Sequence, residues 1–409
     1  MQPWSTVDLP AIPGQGLPVM VYDNASQRLT VPAVTGDEAR LYVCGITPYD
    51  STHMGHASTY VAFDVLSRAW LDSGCSLRYV QNVTDIDDPL FERAAKTGVP
   101  WQDIATREMD RFRDDMTALR VLPPNNYVTV TEHIDGIISW IEDILAAGFA
   151  YTVDGDVYFD VEKAGTLGDV SHLGGAEMLS LFAQRGGDPD RAGKRSPLDP
   201  ILWVRSKPDE PSWTTSFGEG RPGWHIECVA IAIDHLGGSV SVQGGGRDLV
   251  FPHHEMCNAQ APTSGRVSHF ADAYLHAGMV SLNGEKMSKS LGNLVFISDL
   301  RHQGIDPMAI RLAIMSHHYA QDWEWTDQKL SAAMERLDQW RQALAMQGGA
   351  DAMQVLQQVR ISLSQNLDTP HALASIDDWA RQTLSGDSSD PTAQGLIART
   401  LDALLGLAL

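Results

Sequence analysis

His53-Met54-Gly55-His56 near the start of the chain and Lys286-Met287-Ser288-Lys289-Ser290 far downstream are the two strings on which the reading of this sequence turns. Tyr42-Val43-Cys44-Gly45 leads into the first, and Gly292-Asn293 follows the second. Residues 40–44 are a short apolar run ending at Gly45, the pattern of a buried parallel strand. After Thr52 the spacing turns helical: Tyr60, Phe63, Val65, Leu66, Ala69 and Trp70 recur at helical intervals, and Gly74 stops the run. Residues 77–83 read as a second strand. A strand, a helix starting at its carboxyl end and another strand form the first unit of a Rossmann-like parallel sheet, so the expected class is α/β.

Outward from that unit, residues 1–38 read as a Pro- and Gly-rich lead-in with one short strand at 19–22. Two amphipathic helices are expected at 101–119 and 131–147, the second capped by Thr131 with Ile134, Ile137, Ile138, Ile141, Ile144 and Leu145 on one face. Residues 151–161 alternate like a strand, and 183–205 read as a long ordered loop. The α/β pattern resumes with a helix at 225–236, a strand at 240–243, a helix at 253–261 and a strand at 273–277. The expected organisation is a catalytic domain split between 39–94 and 206–285, an α/β insertion at 95–205, a lysine-motif loop and helical region at 286–345, and a C-terminal helical region at 346–409. Beyond the lysine string the chain is expected to be helical, at 308–316, 327–345, 353–363, 371–384 and 393–407.

The composition, 43% hydrophobic and 20% charged, is that of a globular protein. No apolar run approaches the roughly 20 residues that span a bilayer, and the first residues lack a basic and apolar leader, so a cytoplasmic protein with no membrane partner is expected. A net charge of −22 weighs against a large surface for a polyanion. Cys44, Cys75, Cys228 and Cys257 are expected as thiols or metal ligands rather than disulfides.

His53 and His56 sit three apart where a helix opens. Unpaired N–H groups and the helix dipole there suit phosphate, and two imidazoles on one turn could stabilise charge developing on an α-phosphate. Gly55 leaves the backbone open to a flat adenine. The bland alternative is two surface histidines. Lys286 and Lys289 offer two ammonium groups on a Gly-flanked loop, able to clamp departing pyrophosphate; the alternative is a solvated basic turn. Cys44, Cys228 and His253 carry donors that zinc prefers. They come from separate places, so spacing alone leaves buried, inert cysteines as the rival reading.

Taken together, the two strings resemble the signature of class I aminoacyl-tRNA synthetases, which activate a carboxylic acid as its adenylate with ATP. Cys44-Gly45, residues 53–56, Asn82-Val83-Thr84-Asp85-Ile86-Asp87-Asp88, Trp224-His225-Ile226-Glu227-Cys228, Gly244-Gly245-Gly246 and residues 251–255 and 286–293 are similar to cysteinyl-tRNA synthetase, over about residues 38–340. That resemblance implies Cys44, Cys228 and His253 as zinc ligands. The synthetase has a Glu four residues after this His; here Cys257 stands there, a candidate fourth ligand on the same helix face. Cys75 matches nothing and is expected to pack in the core. The resemblance further implies His53, His56, Lys286 and Lys289 as catalytic residues and ATP, with Mg²⁺, as substrate. It implies adenylate contacts from Cys44, Gly45, Ile46, Thr47, Thr59, Asn82, Val83, Thr84, Gly246, Arg247, Asp248 and Val280, with Trp224 shaping a cysteine pocket. Zinc binding through sulfur would reject serine without an editing domain.

Some stretches depart from the tRNA enzyme: residues 45–57, 88–94 and 185–191, and no segment matches an anticodon-reading domain. These stretches resemble, nearly end to end, a related family: the actinobacterial ligases of mycothiol biosynthesis, which join cysteine to the amine of glucosaminyl-inositol. Gln184 and Cys257 are local departures. The resemblance implies an ATP-dependent ligase whose partners are L-cysteine, ATP and glucosaminyl-inositol; a monomer without tRNA is expected, and residues 185–195 read either as a loop ordered over the acceptor or as a surface loop. A short cysteinyl-tRNA synthetase is the alternative. The acids Asp85, Asp87 and Asp88 read either as a general base or as capping carboxylates.

Overall fold

The computed structural model describes residues 1–49, 52–208, 210–287 and 292–409. A hairpin of β1 (Val21–Asp23) and β2 (Arg28–Thr30) precedes β3 (Glu38–Ile46); α1 (Met54–Asp72) then leads to β4 (Ser76–Val83). Helices α2 (Asp88–Thr97) and α3 (Trp101–Ala118) carry the chain to β5 (Asn126–Thr129). Next come α4 (Ile134–Ala146), β6 (Ala150–Val153), β7 (Asp156–Phe159), α5 (Val161–Ala164), α6 (Gly175–Gln184), β8 (Ile201–Arg205), β9 (Trp213–Thr215) and β10 (Gly218–Pro222). The chain returns through α7 (Trp224–Leu236), β11 (Val242–Gly246), α8 (Glu255–Thr263) and β12 (Tyr274–Ala277). Short strands β13 (Val280–Leu282) and β14 (Glu285–Lys286) follow, then α9 (Ile297–His302), α10 (Pro307–Met315) and β15 (Trp323–Trp325). Helices α11 (Asp327–Leu344), α12 (Ala352–Ser364), α13 (Thr369–Leu384) and α14 (Ala393–Leu405) complete the described chain.

The central sheet is parallel, in the order β12-β11-β3-β4-β5. Strand β3 lies in the middle, and successive connections run outward on opposite sides of it. The gap between β3 and β11 is therefore a topological switch point, where a crevice opens at the carboxyl ends of the strands. A second, antiparallel sheet, β6-β7-β8-β10-β9, stands beside it. The two faces of β3 divide the core by the period of two: Leu41 and Val43 join the apolar cluster containing α1, while Tyr42 and Cys44 join the one containing α7.

Helix α1 is buried on nearly every side, which its sequence permits because few of its residues are charged. Its two buried charges, Asp64 and Arg68, are satisfied internally, and Asp72 at its end pairs with Arg360. Asp64 accepts from Arg68 Nε at 2.7 Å, from the Leu122 amide at 2.7 Å and from the Arg311 guanidinium of α10. Arg68 also donates to the carbonyls of Asp402 and Arg120, and Arg311 to those of Leu405 and Leu119, each at 2.7–2.8 Å. This network fixes α1 against α10 and α14. Burial works against the Asp64 carboxylate, but Arg68 and Arg311 outweigh it and hold its carboxyl below the ordinary value.

Several expectations change in detail. Strand β5 lies inside the stretch expected as an insertion, yet it extends the parallel sheet; β9 and β10 lie outside that stretch, yet belong to the antiparallel sheet. Residues 151–161 form a hairpin, β6 and β7, about a turn at Asp154 and Gly155, both at positive φ. Residues 201–205, expected as loop, are β8, and β15 interrupts the expected all-helical tail. Thr131 does not cap α4: a 3₁₀ turn intervenes, and its hydroxyl bonds the Asp85 carboxylate. Helix α2, not anticipated, has its own signals in Asp87 as cap, Pro89 in the first turn and Gly98 at φ 67°. Among the described residues, no helix is long and apolar enough to cross a membrane.

Replacing Asp64 by Asn leaves two buried guanidinium groups without their counter-charge and should cost about 3–5 kcal/mol in urea unfolding. The wild-type contribution is full above the unfolded carboxyl value of about 4 and is lost as pH falls through the lower folded value. A change below about 1 kcal/mol would contradict this role.

Candidate active site and metal centre

The carboxyl end of β3 is tied to β4 through one side chain. Asn82 Oδ1 accepts from the Gly45 amide at 2.8 Å and from the Tyr42 hydroxyl at 3.0 Å, and its Nδ2 donates to Thr84 Oγ1 at 3.2 Å. Gly45 has no room for a side chain: a Cβ there would stand 1.6 Å from the Asn82 carbonyl oxygen. The strands change register between Val43 and Ile46, and the Thr84 amide bonds the Ile46 carbonyl at 3.0 Å beyond the shift. Cys44, Ile46, Asn82, Val83 and Thr84 are all buried.

Behind this junction three donors meet. Cys44 on β3, Cys228 on α7 and His253 before α8 are buried and bring their ligand atoms within 4.8 Å of one another. His253 Nε2 is 3.2 Å from Cys228 Sγ, while its Nδ1 lies 3.0 Å from His225 Nδ1, and Trp224 stacks on its ring at 4.4 Å. Cys44 Sγ approaches His254 Nε2 at 3.4 Å, and His254 Nδ1 meets His276 Nε2 at 2.8 Å. Tyr42, whose hydroxyl donates to Asn82, lies in the same buried cluster as Cys44 and Cys228, so the residue that Asn82 holds borders the thiols.

Burial opposes a thiolate at Cys228, yet the hydrogen bond with Cys44 and the His253 ring outweigh it and hold this thiol well below its usual range. Burial, reinforced by Cys228, pushes Cys44 the other way. The pair thus favours one thiolate and one thiol, an arrangement in which a cation can take the place of the remaining proton. Two sulfurs and an imidazole nitrogen in a buried site fit zinc, and three protein donors leave a tetrahedral position open. Cys257 is not part of this cluster; its Sγ points to the His225 carbonyl at 3.7 Å, and burial raises its thiol.

The segment that follows the second string meets the first through the backbone. The Met54 amide bonds the Val295 carbonyl at 2.8 Å, the Ile297 amide bonds the Thr52 carbonyl at 3.1 Å, and His53 bridges Phe296. His53 caps α1, its Nδ1 accepting from the Gly55 amide at 3.1 Å, and its ring stacks on His56 at 3.9 Å. Lys286 lies on β14 with its backbone opposite Ser281; Lys289 falls outside the described residues. Thr59, one turn into α1, bonds the Gly55 carbonyl and faces Gly246, whose missing Cβ would stand 2.7 Å from Asp248 Oδ1. Arg247 turns outward to Asp322 at 2.9 Å. Val280 is buried on β13, beside α1.

The acids after β4 are engaged. Asp85 holds the Thr131 amide at 3.1 Å, Asp87 caps α2 and bonds Thr47, and Asp88 pairs with Arg221 and Lys207. Burial pushes the Asp87 carboxyl up to about 6. The basic stretch 185–195 is likewise neutralised: Arg191 pairs with Asp154 and Asp156, Lys194 with Asp188, and Arg195 with Asp160. Sequence reasoning missed Tyr42, His225, Gln243, His254 and His276 around the thiols. His254 and His225 adjoin predicted residues, and Gln243 directly precedes the Gly244–Gly246 run, but no spacing rule marks such neighbours.

Residues 30–335 match the family described as the tRNA synthetases class I (C) catalytic domain. Solved structures of this class share the fold. Mycobacterium tuberculosis methionyl-tRNA synthetase bound by methionyl-adenylate superposes with a TM-score of 0.63 at 15% identity, covering 90% of this chain and 92% of that one. The LeuRS of a ternary complex from Agrobacterium radiobacter gives 0.61 at 10%, covering 92% and 84%. The L-cysteine:1D-myo-inositol 2-amino-2-deoxy-alpha-D-glucopyranoside ligase of Streptomyces griseus is 53% identical over 411 residues, covering 100% of both chains. Its counterpart from Mycobacterium sp. strain KMS is 51% identical over 413 residues, covering 100% of this chain and 99% of the relative. The chain belongs to this ligase family, a branch of the class I synthetase fold.

Gly45→Ala should push β3 from β4, because the Asn82 backbone oxygen cannot swing aside; a loss of about 1–3 kcal/mol or more is expected in thermal unfolding. A variant as stable as wild type would contradict the close approach.

Proposed function

We propose that the chain is an ATP-dependent, AMP-forming ligase that activates L-cysteine as cysteinyl-AMP and joins it to the amine of glucosaminyl-inositol, in mycothiol biosynthesis. The observation that carries this reading is the buried Cys44, Cys228 and His253 cluster at the end of the central strand, in a chain whose relatives bear the ligase name along their full length. Zinc held by these three residues would supply a Lewis acid that prefers the sulfur of cysteine to the hydroxyl of serine. Around it, Trp224 and His225 fix the His253 ring, and Tyr42 shares the buried cluster of the thiols.

ATP, with Mg²⁺, lies over the opening of α1. The Gly45, Ile46 and Thr47 backbone, Val83, Thr84, Thr59, Gly246, Arg247, Asp248 and Val280 bound the adenylate, and Asn82 contributes by holding Gly45. A carboxylate oxygen of cysteine attacks the α-phosphorus and the bond to the bridging oxygen breaks, releasing pyrophosphate. His53 and His56 stabilise the charge that gathers there, and Lys286 and Lys289 hold the departing phosphates. The acceptor amine then attacks the acyl carbon, the bond to AMP breaks, and the amine gives up its proton. The paired cations of the insertion, with a net charge of −22, support a small acceptor rather than tRNA. The reading places the enzyme in the cytoplasm as a monomer.

Cysteine-dependent exchange of pyrophosphate into ATP tests the first step, with serine inert. Adding glucosaminyl-inositol should then release AMP, and tRNA should not; transfer to tRNA alone would overturn the ligase reading. Cys228→Ala should lose bound zinc and at least about 100-fold in exchange together. Undiminished exchange in that variant would refute the metal assignment.

A further inference from the structure

The turn between β11 and α8 carries Asp248 and His253, one bounding the proposed adenylate and the other the proposed metal. Its backbone is irregular: Phe251 is extended, at φ −136° and ψ 136°, inside an otherwise helical turn. In a regular helix the Asp248 carbonyl would accept from the residue four later, but that residue is Pro252, which has no N–H. The extended Phe251 likewise turns its carbonyl out of the helical ladder. Both carbonyls are met from another part of the molecule: Arg185, at the end of α6, donates through Nη1 to Asp248 O at 2.5 Å and to Phe251 O. Four residues after Phe251, the buried Glu255 carboxylate reaches back the opposite way, accepting from the amides of Gly168 at 3.0 Å, Val170 at 3.4 Å and Ser171 at 2.7 Å. The turn is thus gripped at head and tail by the segment that carries the antiparallel sheet.

We infer that Arg185 is a positioning residue: its guanidinium supplies the donor that Pro252 cannot, and so sets the turn that places Asp248 toward the adenylate and His253 toward the metal. The inference rests on the proposed roles of those two residues. Both bonds use the two hydrogens of one nitrogen, Nη1, which the rigid guanidinium plane aims at the two carbonyls; a lysine ammonium also carries several N–H groups but on a different reach and with no fixed plane. Arg185 itself touches neither reacting atoms nor metal.

The test compares wild type, Arg185→Ala and Arg185→Lys as full chains. Zinc release to a chromogenic chelator is followed alongside KM and kcat of cysteine-dependent exchange. Arg185→Ala should release zinc about 10–100-fold faster and lose a similar factor in kcat/KM. Millimolar guanidinium should restore part of both in that variant and not in wild type, and Arg185→Lys should fall between. Wild-type zinc release and exchange in Arg185→Ala would overturn the inference. So would a defect that neither guanidinium nor Lys lessens, since the residue would then serve the fold alone. A wild type that holds zinc without exchanging would defeat the proposed function, while the release rates still decide the role of Arg185. A wild type that holds no zinc would overturn both.

Discussion

The hydrogen bond from the Gly45 amide to the Asn82 side chain is the constraint on which the site depends. It closes the carboxyl ends of β3 and β4 at the point where the strands change register, and only a glycine fits against the Asn82 backbone there. The same Asn82 oxygen accepts from Tyr42, which lies in one buried cluster with Cys44 and Cys228, so one amide side chain ties the strand end to a neighbour of the thiols. Cys44 precedes the junction and the signature histidines follow it. Proximity between the proposed metal and the proposed phosphate site is therefore a consequence of chain geometry at a single residue pair.

Around this junction, the rest of the molecule acts as support. Helix α1 must begin at the crevice, and its buried course between sheet and C-terminal helices is held by Asp64, Arg68 and Arg311. A buried ion network of this kind adds little net stability against an apolar alternative, but its directional bonds define one docking arrangement. The antiparallel sheet contributes from the other side, through Arg185 and the amides that meet Glu255. The second support acts through backbone carbonyls and amides, groups whose identity does not depend on residue type.

That fact explains what the sequence made legible. The unit from β3 through α1 to β4 was readable because burial imposes periods of two and of 3.6 on residue type. The three metal donors were readable only through family resemblance, since they lie on three separate elements. Cys257, four residues after His253 along helical backbone, was the fourth donor that spacing offered, while the group whose donor atoms converge is Cys44, Cys228 and His253. The Cys257 Sγ lies 3.7 Å from the His225 carbonyl. Asp154-Gly155 and the caps of α2 were local signals present in the sequence and not used. By contrast, nothing local marks Asn126–Thr129 as part of the parallel sheet, or Arg185 as the partner of a proline-interrupted turn; both are settled by tertiary packing.

The central claim is that a buried shell of Cys44, Cys228 and His253 holds zinc with one position left for the sulfur of the substrate. Zinc-edge X-ray absorption on the purified protein, with and without cysteine, tests it most directly. The account predicts two sulfur ligands in the resting protein and three once cysteine is bound. Three sulfurs before cysteine is added, or a sulfur count that cysteine does not change, would contradict it.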